Sequence, residues 1–314
     1  MKNVSVVMAA YNAEDSIEKA VRSALDNICT KELIVVNDCS SDNTRTILDS
    51  LSKCDSRIKL FNFEKNCGPS IARNTALSFA SGDWVTILDA DDYLLSDRIE
   101  KLLTFSGTAD FIADDLILEG ISATGTGRAN LIGLETGARI SITFENFVRS
   151  NLSSKSTERK ELGYLKPLMR RSFLQEHGLK YHEKVRLGED YLFYAKALAL
   201  GARFILVPTM GYVYVGTPRS LSRDHREEDL RALCDADKEM IESMELPIAQ
   251  KNLLWRHYQD VELKLYWRMF IRLVKDRQFF KSTLCLFKSF NVFMYILTNV
   301  LIEISKRAKK NFHR

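Results

Sequence analysis

Apolar residues in the first hundred positions alternate between short dense runs and longer stretches of helical spacing. Residues 4–10, 33–36, 58–63 and 84–88 each have the length and composition of a strand buried in a sheet. Between the first two, Ile17, Ala20, Val21, Ala24 and Leu25 recur at helical spacing, predicting a helix over about 13–25. Ser40-Ser41-Asp42-Asn43 offers cap chemistry to a second helix carrying Ile47, Leu48 and Leu51. Pro69 suits the first turn of a third helix, and Ser96 is the expected cap of a fourth. Strands and helices alternating at this pace predict an α/β fold: a parallel sheet with right-handed crossovers. Ligands of such sheets bind beyond the carboxyl ends of the strands. Ala10, Tyr11, Asn12, Asp38, the 66–74 loop and Asp89–Asp91 all fall at that edge.

The pattern loosens after residue 110. A strand is expected over 109–118, and 119–160, rich in Gly, Ser, Thr and charge, reads as a mobile excursion. Residues 164–169 read as a short strand, 171–177 as a short helix, and 189–200 as a helix ended by Gly201. Two short strands follow at 204–207 and 211–215, and from 227 the chain turns helical nearly to its end.

Charge is divided unevenly along the 314 residues. From Lys251 onward there are 14 Lys and Arg against 4 Asp and Glu, a net of +10; residues 1–250 carry 31 against 37, a net of −6. An acidic body joined to a basic tail points to an anionic surface as partner. The six cysteines form no C-x-x-C pair and no metal-ligand spacing, which suits reduced thiols in the cytoplasm. The apolar run at 4–10 is too short for a signal peptide, so export is not expected.

The chemistry concentrates where the run at 84–88 ends in Asp89-Ala90-Asp91-Asp92. Three carboxylates within four positions repel one another unless a cation lies among them. Mg²⁺ or Mn²⁺ suits the place, since such ions take a few carboxylates and complete their shell with substrate phosphate oxygens and water. A solvated acidic turn is the alternative. Two other enzyme classes lack their motifs here. Nucleotidyltransfer would need a Gly-rich basic loop after the first strand, and Ala10-Tyr11-Asn12-Ala13-Glu14-Asp15 has neither Gly nor Arg; a dinucleotide-binding G-x-G-x-x-G is likewise missing there.

Five segments together resemble one family. Ala9-Ala10-Tyr11-Asn12-Ala13-Glu14, the stretch from Glu32 to Asp42, Asn66-Cys67-Gly68-Pro69-Ser70-Ile71-Ala72-Arg73-Asn74, Asp89-Ala90-Asp91-Asp92 and Gly188-Glu189-Asp190 resemble, in order and spacing, the motifs of family 2 inverting glycosyltransferases. Residues 162–167 and 220–222 are similar to bacterial exopolysaccharide glucosyltransferases of the succinoglycan type. The resemblance implies a GT-A nucleotide-diphospho-sugar transferase fold over residues 1–226, with a nucleotide half to about 110 and an acceptor half beyond it. Residues 227–314 would form a separate helical, basic region. It implies hexose transfer from a UDP-sugar, glucose preferred, to a lipid-linked saccharide or polysaccharide acceptor.

The resemblance also assigns roles. Ala10, Tyr11 and Asn12 would line the nucleotide, and Asp38 would accept the uracil N–H, a role its acceptor-only carboxylate can fill. Arg73 would face a uracil or pyrophosphate oxygen. Asp91 would bind the metal directly, with Asp89 on the ribose or behind the metal. Glu189 and Asp190 open a helix and would carry the general base, Asp190 being the favoured one. His225 would meet the pyrophosphate or complete the metal shell, unless it is a surface residue; Val215 and Thr217 replace basic or histidine residues expected nearby.

In the tail, Lys264, Arg268, Arg272 and Lys275 recur at three-to-four spacing as one basic stripe. Residues 282–302 hold a single charge, Lys288, which allows a helical layer, an interfacial helix or a membrane span. The expectation is a protein peripheral to the cytoplasmic face of the inner membrane, bound to its anionic surface. Nucleic acid is not an expected partner, and a non-catalytic glycan- or nucleotide-sugar-binding scaffold is the rival reading.

Overall fold

The computed structural model describes residues 3–107, 109–120, 128–133, 139–153, 161–216 and 226–312. It divides into two compact units, Met1–Ser220 and Leu221–Arg314.

The first unit opens with β1 (Val4–Ala10), α1 (Ile17–Leu25), β2 (Thr30–Asn37), α2 (Thr44–Cys54), β3 (Ile58–Asn62), α3 (Pro69–Ser78) and β4 (Trp84–Ile87). It continues through β5 (Tyr93–Leu94), α4 (Arg98–Leu103), β6 (Phe111–Glu119), β7 (Arg128–Asn130), β8 (Ile140–Ile142) and α5 (Phe144–Ser150). A short 3₁₀ turn at Leu162–Tyr164 leads to β9 (Leu168–Arg170), α6 (Arg171–Glu176), α7 (Glu189–Ala199) and β10 (Phe204–Val215). One sheet runs β3-β2-β1-β4-β9-β6-β10-β5, with β7 beside β6 and β8 beside β10. The four strands β1 to β4 pair in parallel, as the alternating pattern predicts. Antiparallel β9 joins that half to the parallel pair β6–β10.

Burial explains the composition of the strands. All of β4 is buried, and so is β1 except for half-buried Ala9, which is why these runs stay apolar at successive positions. α1 turns Ile17, Ala20, Val21 and Ala24 onto the sheet. The start of α2 is served by Asp42, whose Oδ1 accepts from the Thr44 N–H at 3.0 Å.

Four local expectations change. Asp97, not Ser96, stands at the N-cap of α4, and its side chain makes no cap bond. That helix is instead anchored by buried Arg98, whose Nη2 lies 2.8 Å from Asp114 Oδ1. The two short strands expected at 204–207 and 211–215 are one strand. It shifts register on β6 around Pro208, whose missing N–H a central ladder position would not tolerate but a bulge does. Residues 164–169 form the end of a 3₁₀ turn and only the start of a strand. The supposed excursion at 119–160 supplies β7, β8 and α5; buried Phe144, Phe147 and Val148 hold α5 in the core.

The second unit comprises α8 (Glu227–Ser243), α9 (Ile248–Lys275), α10 (Phe279–Leu286) and α11 (Phe290–Phe312). Buried Asp237 and His257 join α8 to α9, with Oδ2 and Nδ1 2.7 Å apart. A small core of Leu273, Cys285, Val292 and Ile296 unites α9, α10 and α11, with Trp267 and Phe270 packed against it. Among the described residues no helix is long and apolar enough to cross a membrane.

Candidate active site

The carboxyl edge of the sheet is built by loops that hydrogen-bond one another. After β1, the Asn12 N–H donates to Ser40 Oγ at 3.0 Å, and Asn12 Oδ1 accepts from the Ser41 N–H at 2.8 Å. Asn12 holds φ at +48°, a conformation asparagine tolerates better than most residues. Glu14 Oε2 accepts from the Asn43 backbone and side chain. Ala10 is buried and accepts from the Asp38 N–H, while Tyr11 projects half-exposed above the edge. Asp38 itself is buried, and its two oxygens accept the N–H groups of Cys67 (2.6 Å) and Gly68 (2.8 Å). It therefore holds the 66–69 loop in place, and its remaining lone pairs are what a base could use.

That loop ends at Gly68, whose φ of +91° is strained for any other residue; an added Cβ would also lie 2.9 Å from Arg186 Nε and push that side chain aside. Pro69 then starts α3, as its preset φ favours. Ser70, Arg73 and Asn74 share one face of α3; Ser70 and Asn74 bind the segment leading into α7, and Arg73 reaches Glu189 at its start. Ser70 Oγ donates to the Val185 carbonyl at 2.5 Å, and Asn74 exchanges two hydrogen bonds with the Tyr181 backbone. Gly188, at φ +78°, turns that segment into α7, delivering Glu189 and Asp190 to the same place.

Four elements thus bring their charges together. Arg73 Nη1 lies 2.6 Å from Glu189 Oε1, and its Nη2 2.7 Å from Asp89 Oδ1. Lys166, only 5% exposed, bridges Asp89 Oδ2 at 2.8 Å and Asp190 Oδ2 at 2.6 Å. The Tyr181 hydroxyl donates to the other Asp190 oxygen at 3.0 Å. Burial opposes charge on every member, and the partners overcome it for three of them. Lys166 is pushed well above the usual lysine range by Asp190 and Asp89, and Arg73 rises for the same reason. Asp89 is held well below the carboxylate range by Lys166 and Arg73. Glu189 goes the other way: burial and then the Asp190 charge raise it, although Arg73 pulls it down.

Asp91 and Asp92 differ sharply. Asp92 is buried, accepting from the Tyr212 hydroxyl at 2.8 Å and the Val215 N–H at 2.8 Å, which ties the acidic turn to β10. Burial and its acidic neighbours push Asp92 well up. Asp91 is half-buried and carries no ion pair among the described residues; burial and Asp89 raise it too. Among those residues, five carboxylates (Asp89, Asp91, Asp92, Glu189, Asp190) share the site with two cations, Arg73 and Lys166. An anionic nucleotide would be repelled by the surplus unless a further cation entered with it. Asp91 fits a divalent ion as a single carboxylate ligand, with substrate oxygens and water as the others. No group of three His, Cys, Asp or Glu side chains suited to a metal occurs among the described residues.

Of the residues singled out by sequence, Arg73, Asp89, Glu189 and Asp190 meet directly. Asp38, Ala10, Tyr11 and Asn12 lie in the adjoining loops, and His225 lies outside the described residues. Lys166 and Tyr181 were missed. Lys166 had a signal: it is the lone charge in the otherwise uncharged run from Gly163 to Met169, and a charge in such a run is buried only when paired. Tyr181 had none.

The Glycosyl transferase family 2 model matches residues 5–154. The succinoglycan biosynthesis protein ExoU of Rhizobium meliloti (strain 1021) is 36% identical over 277 residues, covering 88% of this chain and 80% of that protein. Among solved structures, residues 1–349 of S. aureus TarS in complex with UDP-GlcNAc superpose with a TM-score of 0.63 at 22% identity, covering 83% of this chain and 73% of that one. The mannosyltransferase PcManGT from Pyrobaculum calidifontis, in complex with GDP-Man and Mn²⁺, superposes with a TM-score of 0.59 at 16% identity over 98% of this chain and 82% of that one. Both structures share the GT-A arrangement described above.

Proposed function

Since this chain belongs to glycosyl transferase family 2, among its exopolysaccharide-type members, we propose that it moves a hexose, glucose by preference, from a UDP-sugar to a lipid-linked saccharide or polysaccharide acceptor. The single observation that carries the mechanism is the pair of carboxylates at the start of α7, held by Lys166, Tyr181 and Arg73 beside the acidic turn after β4. The UDP donor draws support from the ligand of the TarS complex, and the polysaccharide product from the description of ExoU.

In this reading residues 1–110 hold the nucleotide and 111–226 the acceptor. Asp190 is the general base. Lys166 and Tyr181 fix both its oxygens, so that the carboxylate faces the acceptor hydroxyl in one orientation and takes its proton as the new bond forms. Glu189, fixed by Arg73, lines the same opening. Asp89, drawn between Arg73 and Lys166, is placed for the ribose, and Asp38 for the uracil N–H. Asp91 would hold Mn²⁺ or Mg²⁺ together with the donor's diphosphate; when bound, the ion supplies Lewis-acid stabilisation of the charge on the departing nucleoside diphosphate. With one base and no nucleophilic side chain needed, the displacement inverts the anomeric carbon. The cytoplasmic face of the inner membrane is the proposed place of action.

The test is to incubate the purified protein with UDP-, GDP- and dTDP-sugars, with Mn²⁺ or with EDTA, and to measure nucleoside diphosphate release and nucleotide binding. Metal-dependent release from one UDP-sugar is expected. If neither release nor metal-dependent UDP binding occurs, the protein is a scaffold that keeps the fold without turnover.

A further inference from the structure

The second unit carries an apolar surface that its own core does not use. On α11, Val292 and Ile296 face inward, while Phe290, Met294, Leu297, Leu301 and Ile304 recur at spacings of three and four along an exposed stripe. Such a helix is apolar on two faces, one satisfied by α9 and one open. α10 repeats the arrangement: Cys285 is buried, and Phe280, Leu284 and Phe287 line its exposed side. Among the described residues the most exposed aromatic side chains cluster at the α10–α11 turn and the start of α10, with Phe280 at 78%, Phe287 at 82% and Phe290 at 76%. A patch of this kind on a folded protein marks a surface that meets something apolar.

Charge identifies what that is. From Arg277 to Ile302 the chain has three cations, Arg277, Lys281 and Lys288, and no Asp or Glu. Lys281 and Lys288 converge with Arg272 on a groove of about 490 Å³ between α9 and α10, which Phe287 also lines. Lys288 is weakly engaged, 4.0 Å from Glu262 and above the Tyr266 ring. Two cations of the basic stripe read along α9 are engaged within the unit: Lys264 pairs with Asp260, and Arg272 with Glu227 and Asp276. Lys281 and Lys288 are the cations that stand beside the exposed aromatic side chains of α10 and its turn. An anionic bilayer satisfies both halves of the surface, its acyl boundary taking the aromatic side chains and its headgroups the two lysines.

We propose that α10 and α11 form an interfacial anchor, in which Phe280, Phe287 and the α11 stripe enter the headgroup–acyl boundary of an anionic membrane while Lys281 and Lys288 engage lipid phosphates. The anchor lies in the plane of the membrane rather than across it, in line with the hydropathy of the described helices. It goes beyond the proposed activity and does not depend on which sugar is transferred.

The test is co-sedimentation of the full chain with vesicles of phosphatidylcholine alone and of phosphatidylcholine with one-third phosphatidylglycerol, at low and high salt. Wild type should pellet with the anionic vesicles. Phe280→Asp with Phe287→Asp should lose affinity by roughly a hundredfold, since each buried Phe is worth about a factor of ten or more. Lys281→Gln with Lys288→Gln should lose about tenfold and most of the salt dependence. Circular dichroism and nucleotide binding, unchanged in both variants, would show that the fold and the donor site persist. Failure of wild type to bind anionic vesicles, or unchanged binding by the Phe variant, overturns the anchor. So does a concentration-dependent dimer that the Phe substitutions abolish while vesicle binding is kept. Because the readout is membrane binding, an inactive but vesicle-bound protein would refute the transferase reading alone.

Discussion

Replacing Lys166 with methionine keeps the stem and deletes the ammonium that bridges Asp89 and Asp190. In the folded protein buried Asp190 and partly buried Asp89 would then share one cation, Arg73, whose Nη1 is 3.9 Å from Asp190 Oδ1. Removing one partner of a buried ion pair costs about 3–5 kcal/mol, chiefly because the remaining charge is left without water. Lys166 is 5% exposed and Asp190 8%, so solvent screens little of that pair, while Asp89, at 24%, is partly screened. We therefore expect Lys166→Met to lose about 3–5 kcal/mol of unfolding free energy in urea at neutral pH. Adding Asp89→Asn should restore part of that loss, with a coupling of about 1–3 kcal/mol, because the carboxylate freed by the first change is removed by the second. Turnover of Lys166→Met should fall on the order of a hundredfold, since Asp190 would be free to leave its orientation. The assay is equilibrium denaturation of wild type, both single variants and the double, alongside donor turnover. Strict additivity, or a Lys166→Met cost below about 0.5 kcal/mol, would refute the view that Lys166 neutralises this pair.

Other outcomes follow from the same geometry. Asp190→Asn should keep donor binding and lower transfer by about 10²–10⁴-fold, the usual contribution of a general base; loss of folding instead would make Asp190 a structural residue. Asp91→Ala should abolish metal-dependent UDP binding while leaving stability nearly unchanged, checked by titration calorimetry with and without Mn²⁺. Glu32, at the other end of β2, offers a pH test. Burial would raise it, but Lys59, Ser5 and Ser81 hold it at about 2 against an ordinary 4.5. A carboxylate depressed in the folded state adds stability above its unfolded pKa and loses it as pH falls through the folded one. Glu32→Gln should therefore cost about 1–2 kcal/mol at neutral pH, discounted for half-exposed Lys59, and that cost should vanish in strong acid. Denaturation midpoints of wild type and variant that stay equally separated throughout would contradict it.

Much of this architecture is readable one segment at a time. The runs at 4–10 and 84–88 are strands because nothing polar interrupts them enough to face water. Pro69 and Gly68 start α3 through backbone preferences that belong to the residues themselves. The carboxyl-edge position of Asn12, Asp38 and Asp89 follows from strand order alone. Legibility fails where packing overrides local signals. The two strands expected at 204–207 and 211–215 are one, since β10 bulges past Pro208 with β6 pairing on both sides. Residues 119–160 read as a mobile excursion, yet buried Phe144, Phe147 and Val148 fix α5 within it.

The sequence by itself determined the strands, the edge at which chemistry gathers, and the carboxylates available there, since periodicity and turn residues act over a few neighbouring positions. Only the tertiary structure decided how those carboxylates are used. Asp92 went to Tyr212, 120 positions away, and Asp38 to the 66–69 loop. Lys166, 77 positions from Asp89 and 24 from Asp190, became the bridge between them. Pairings of that separation depend on which strands lie side by side, and a buried charge accepts whichever partner the fold brings within reach.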